Sequence, residues 1–167
     1  MDVNLPSSTG SSALYVASQN GHVQVVQALL QHNQVDVNAQ RPCDGTTALY
    51  VASQYGHLDV VQALLQHNQV DVNLPRSTDC TAALYVASQN GHLDIVQALL
   101  QHKQVNVNAQ RSTDCTTALY VASENGHLDI VQALLQHETV DLNLPRSTGS
   151  TALYVASQNG HLDVVRA

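Results

Sequence analysis

Nine histidines, three cysteines and thirteen acidic residues are the groups in this 167-residue chain that could hold a metal or carry catalysis. Five histidines follow a glycine, at His22, His57, His92, His127 and His161. The other four, His32, His67, His102 and His137, lie ten residues beyond the first four of these. A chain that repeats in this way sets equivalent side chains along a line. Stacked helices lie about 8–10 Å apart, whereas a zinc–imidazole bond is about 2.0–2.1 Å. Equivalent histidines of neighbouring units therefore cannot share one metal. Cys80 and Cys115 are likewise equivalent and fall beyond the roughly 7 Å Cα separation that a disulfide tolerates. Catalysis needs unlike residues converging on one point, and a row of like residues does not supply that. The sequence reads as non-enzymatic, with no cofactor and no metal site.

A second constellation is charged. Arg41, Arg76, Arg111 and Arg146 recur once per repeat, and Asp44, Asp79 and Asp114 follow the first three by three residues. Stacking makes these parallel ladders of opposite charge. One reading is solvated loop pairs, each worth under ~1 kcal/mol. The other is a comb along one edge that grips an extended partner. The formal charge of −7, from 6 basic and 13 acidic residues, argues against a nucleic-acid partner. No apolar run approaches the ~20 residues of a membrane span, and Met1-Asp2-Val3-Asn4 has no secretory n-region. An odd number of cysteines, too few to staple a fold, predicts reduced thiols and an intracellular, cytoplasmic setting.

These groups need elements to position them. Ala-Leu-Tyr begins at 13, 48, 83, 118 and 152, so the steps are 35, 35, 35 and 34. One array spans 1–167, with units near 4–38, 39–73, 74–108, 109–143 and a shorter 144–167. In the second unit, Thr47 suits an N-cap, Ala48–Tyr55 a short helix, and Gly56 the left-handed residue that ends it. A second helix follows from Leu58. Its polar Asp59, Gln62 and Gln66 form one narrow stripe, so the rest of its surface must be covered. Helices of eight to ten residues do not persist alone, so neighbouring copies must stack as a solenoid. Val70-Asp71-Val72-Asn73 alternates like a short extended segment, and Pro75 with Ser77-Thr78-Asp79 reads as a turn.

From Gly45 to Asn73 the unit resembles the ankyrin repeat, with its Thr-x-Leu opening, small-residue pair, Gly-His-Leu turn and Asp-Val-Asn tail. The resemblance covers essentially the whole chain. It implies an all-α solenoid of stacked helix-turn-helix repeats with β-hairpin-like loops. The departures carry expectations of their own. Ala stands at the usual first-helix Pro and Tyr at the usual His, which puts a histidine network within each unit in doubt. Cys80 and Cys115 replace the loop glycine and predict strain if that position needs positive φ. Ala82 replaces a threonine cap, at a cost of roughly 1 kcal/mol.

The resemblance further implies a protein-binding module that docks a partner on loop tips and the concave first-helix face. The positions that fall there are Arg41, Asp44, Thr46, Gln54, Tyr55, Arg76, Asp79, Gln89, Arg111, Asp114 and Glu124. Tyr55 and Glu124 are the ones that differ between units, and Tyr is a favoured interface anchor. The turn histidines are expected to bond the backbone locally and the later ones to be solvated. No unit shows a polar outer cap, so both ends are expected to be apolar, with end-to-end self-association as a consequence. The alternative reading is a structural spacer of a larger repeat protein, or an engineered repeat scaffold without a natural partner.

Overall fold

A computed structural model describes residues 2–167. Among these residues ten helices alternate with turns, and no strand occurs. The first helices of the units are α1 (Ala13–Gln19), α3 (Ala48–Tyr55), α5 (Ala83–Asn90), α7 (Ala118–Asn125) and α9 (Ala152–Gln158). The second helices are α2 (Val23–Leu30), α4 (Leu58–Leu65), α6 (Leu93–Leu100), α8 (Leu128–Leu135) and α10 (Leu162–Arg166). Each first helix packs on the next first helix, and each second helix on the next second helix.

Local chemistry sets the helix bounds. Ser12, Thr47, Thr117 and Thr151 cap first helices by accepting from the amide of the tyrosine three residues on. Ala82 makes no such bond, so α5 begins without a side-chain cap. Gly56 ends α3 with φ at 79°, a region that an L-residue enters only at a cost of roughly 1–2 kcal/mol.

The core is one aliphatic layer running the length of the stack. Val60, Val61 and Leu64 of α4, Ile95, Val96 and Leu99 of α6, and Ile130, Val131 and Leu134 of α8 are all buried. They are covered from both sides in sequence, by the unit before and the unit after. That satisfies the wide apolar face of these helices.

The loops are hairpin-like in closure without forming strands. Arg41 N donates to Thr46 O at 2.9 Å and Gly45 N to Arg41 O at 2.8 Å, which closes a turn rather than a ladder. Val70 and Val72 are buried and Asp71 is exposed, as alternation requires. Yet Val70 N bonds back to His67 O, and Asp71 N goes to a side chain of the preceding unit. No neighbouring strand is left to pair with.

Candidate functional site

The loop tips are built around the aspartates. Asp44 Oδ1 accepts from Thr46 N at 3.1 Å, from Thr46 Oγ1 at 2.7 Å and from Arg41 Nε at 3.1 Å. A second contact joins Arg41 Nη2 to Asp44 Oδ2. Asp79 repeats the pattern with Thr81 and Arg76, whose Nη2 lies 2.8 Å from Oδ2. Partial burial works against the Asp44 carboxylate. Hydrogen bonds from Arg41 and Thr46 outweigh it and hold its pKa at about 2, below the ordinary 3.8. Asp79 is lowered by the same balance. Arg41, hydrogen-bonded to Asp44, is raised above the ordinary guanidinium value.

Each arginine also reaches the preceding unit. Arg41 lies 5.1 Å from the centre of the Tyr15 ring, Arg76 5.5 Å from Tyr50 and Arg146 6.0 Å from Tyr120. Arg111 instead donates from Nη1 to the Tyr85 hydroxyl at 3.3 Å. The tyrosine hydroxyls meet the next loop: Tyr50 with Thr81 at 3.4 Å, Tyr85 with Thr116 at 3.2 Å and Tyr120 with Ser150 at 3.2 Å. Asp44 O, Asp79 O and Asp114 O accept from Ser77 N, Ser112 N and Ser147 N of the following loops. Tyrosine thus does its polar work between units, where the sequence had left a histidine network in doubt.

The first three Arg and Asp pairs are therefore partly buried and paired within their own loops. Arg146 is the variant case. Its loop carries Thr148-Gly149 and no aspartate, so it turns back to Asp114 Oδ2 at 3.5 Å. Thr46 was expected on the contact surface. It is 4% exposed, and its hydroxyl is spent on Asp44. Asp44, Asp79, Asp114 and their arginines border the same edge but are engaged with one another. Cys80 and Cys115 adopt φ of 58° and 61°, the positive values that their glycine-like position requires.

Two expectations for histidine are corrected. The turn histidine does not bond locally. His57 Nε2 lies 3.0 Å from Gln19 O, His92 Nε2 3.2 Å from Gln54 O, His127 Nε2 3.2 Å from Gln89 O and His161 Nε2 3.0 Å from Glu124 O. Each partner is the carbonyl near the end of the preceding first helix. The later histidines are not simply solvated, for His67 and His102 Nδ1 accept from the amide two residues on, at 3.4 Å.

An asparagine clasp escaped the sequence reading altogether. Asn38 Oδ1 accepts from Asp71 N at 2.9 Å while its Nδ2 donates to Gln69 O at 2.7 Å. Asn4, Asn73 and Asn108 hold the next unit in the same way. The available signal was the asparagine that ends each tail, at Asn4, Asn38, Asn73 and Asn108, whether the tail reads Asp-Val-Asn or Asn-Val-Asn.

The remaining expected positions gather at the exposed ends of the first helices: Gln54 and Tyr55 on α3, Gln89 on α5 and Glu124 on α7. At the position after these residues, Asn90, Asn125 and Asn159 donate to Gln54 O, Gln89 O and Glu124 O. Tyr55 replaces that asparagine. It is 54% exposed and lies over His57, with ring centres 6.4 Å apart and 29° between planes. Farther along the same side, Tyr120, Glu124, Arg146, Thr148 and Tyr154 line a hollow of about 490 Å³. Among the described residues no three His, Cys, Asp or Glu side chains gather as metal ligands, and no helix is long and apolar enough to cross a membrane. Cys43, Cys80 and Cys115 are free thiols.

No curated protein matches the chain. The family model for ankyrin repeats matches it three times, over residues 1–76, 33–111 and 84–167, which together span its whole length. Stacked helix pairs, left-handed glycine turns and loops that bond unit to unit agree with that match, and the chain belongs to the ankyrin-repeat family.

Proposed function

We propose that this chain is a non-catalytic module that binds a protein partner across the first-helix ends, with Tyr55 at the centre of the contact and Gln54, Gln89 and Glu124 beside it. Ankyrin repeats are generally protein-interaction modules and typically non-enzymatic. The observation that carries the finer reading is Tyr55. Three other units use that position for an asparagine that ties them to the unit before. The second unit gives up the tie and exposes a large aromatic ring instead. A rigid aromatic at the middle of an otherwise polar surface is the usual form of an interface anchor. Arg41, Arg76 and Arg111, with Asp44, Asp79 and Asp114, stiffen the adjoining loops and leave their outer edges to frame the partner.

Tyr55→Asn tests this reading without threatening the fold, because it restores the residue used elsewhere. Affinity capture with the unaltered chain and with Tyr55→Asn, read by quantitative mass spectrometry, should show a set of proteins lost only with the variant. Identical capture by both forms would remove Tyr55 from the contact. Capture of nothing by either form would favour the spacer.

A further inference from the structure

The units are near copies of one another, so a junction at which two departures meet stands out. Gln19, Gln54, Gln89 and Gln158 hold equivalent places near the ends of first helices, and the fourth unit puts Glu124 there. Arg41, Arg76 and Arg111 are each followed by an aspartate three residues on, whereas Arg146 is followed by Ser147-Thr148-Gly149 in a loop one residue shorter. Both departures fall at the junction of the fourth and fifth units, where α7 packs on α9. Tyr120, Glu124, Arg146 and Ser150 line one hollow there.

The two departures leave opposite charges without full partners. Asp44 and Asp79 grip Arg41 and Arg76 through the Nε–Nη2 edge of the guanidinium. Within the Arg146 loop, Thr148 Oγ1 takes the carboxylate's place towards Ser150 Oγ, at 3.2 Å, and brings no charge. Arg146 Nη2 lies 3.5 Å from Asp114 Oδ2, but Asp114 Oδ1 is already 3.2 Å from Arg111 Nε. One carboxylate thus serves two guanidinium groups. Among the described residues Arg146 Nε has no hydrogen-bond partner. The Arg146 side chain is 38% exposed, against 28%, 29% and 31% for Arg41, Arg76 and Arg111. Glu124 is half-buried and joins no ion pair among the described residues. A cation and an anion therefore share one hollow without pairing with each other.

We propose that this junction binds a peptide segment in which an acidic residue stands beside a basic one, the carboxylate on the Arg146 guanidinium and the cation on the Glu124 carboxylate. The inference rests on the protein-binding reading for its occupant and adds the charge pattern of that occupant; it does not depend on Tyr55. A purely acidic segment meets Glu124, and a purely basic one meets Arg146, at like charge, so neither suits the site. A guanidinium and a carboxylate each gain most from an ionised partner.

Titration of the isotope-labelled chain with short synthetic peptides, followed by nuclear magnetic resonance, tests this. The probes carry Asp-Lys or Asp-Gly-Lys between neutral blocked ends, and the controls replace Asp by Asn, Lys by Gln, or both. A probe should shift the Arg146 Nε–H and Ser150 amide signals saturably, and each singly neutralised control should bind about fivefold more weakly. Glu124→Gln, which installs the residue of the other units, should remove the difference between a probe and its Lys-to-Gln control. Thr148→Asp should abolish the preference for the probe, because it gives the loop a carboxylate of its own. Arg111 Nε reaches Thr113 Oγ1 at 2.7 Å, so a side chain two residues on can meet the arginine. The proposal fails if the probes bind no better than the doubly neutral control, or if Thr148→Asp leaves the titration unchanged. Tyr55→Asn should leave it unchanged, so identical capture by that variant in the experiment above would remove Tyr55 without touching this site.

Discussion

Replacing Gly56 with alanine separates two demands made on one residue. The first is local. Gly56 has φ at 79°, and an alanine there costs roughly 1–2 kcal/mol. The second comes from the next unit. A Cβ at Gly56 would lie 2.9 Å from His92 Cε1 and 3.1 Å from Nδ1, so the imidazole has to move. Moving it endangers the bond from His92 to Gln54 O, worth about 0.5–1.5 kcal/mol net. Gly160 supplies the internal control, because it has φ at 74° and nothing within 4 Å. Gly160→Ala should show only the backbone cost. The expected losses are about 1.5–3.5 kcal/mol for Gly56→Ala and about 1–2 kcal/mol for Gly160→Ala. Urea unfolding of both variants, with Gly56→Ala repeated in a His92→Ala background, measures the difference directly. Equal losses at the two glycines, or no coupling between Gly56→Ala and His92→Ala, would refute the claim that histidine locks each unit onto its predecessor.

Other consequences follow from single residues. Cys80→Gly should raise stability by about 1 kcal/mol, because it relieves a φ of 58° by more than the added chain entropy of glycine takes back, and the urea midpoint reads it. Ala82→Thr should restore the missing cap of α5 and add roughly 1 kcal/mol; no gain would show that α5 is held by packing alone. Acid should weaken the array through its tips. The Asp44 carboxylate has its pKa lowered in the folded state to about 2, so its contribution is complete above about pH 4 and is lost as the pH falls towards 2. At about 1.36 kcal/mol per pKa unit the ceiling is about 2 kcal/mol. Asp44→Asn should flatten the fall in urea midpoint between pH 4 and 2, and an unchanged slope would deny the pair that role.

What the sequence disclosed and what it hid divide along a physical line. Thr47, Ala48–Tyr55 and Gly56 act on their own neighbours in the chain, and cap, helix and turn were all legible from them. The positive φ at Cys80 and Cys115 was legible too, because a repeat shows which residue has displaced a glycine. Bonds that cross between units were not. His57 reaches Gln19 O and Asn38 reaches Gln69 O, and a backbone carbonyl leaves no mark in residue type. Thr46 lies at the tip yet faces inward, because Asp44 takes its hydroxyl, and only coordinates reveal that orientation. The hairpin-like loops form no strand for a related reason: amides that could extend a ladder within one loop, such as Ser77 N, go to the loop alongside.

The most direct measurement is the circular dichroism of the peptide 39–73, one complete unit, beside that of the whole chain. Val60, Val61 and Leu64 lose both covering neighbours in this peptide, so it should be unfolded and show no cooperative thermal transition, while the whole chain is helical and melts cooperatively. A single unit that folds on its own, with a sharp transition, would contradict the view that this array is held together by contacts between its repeats.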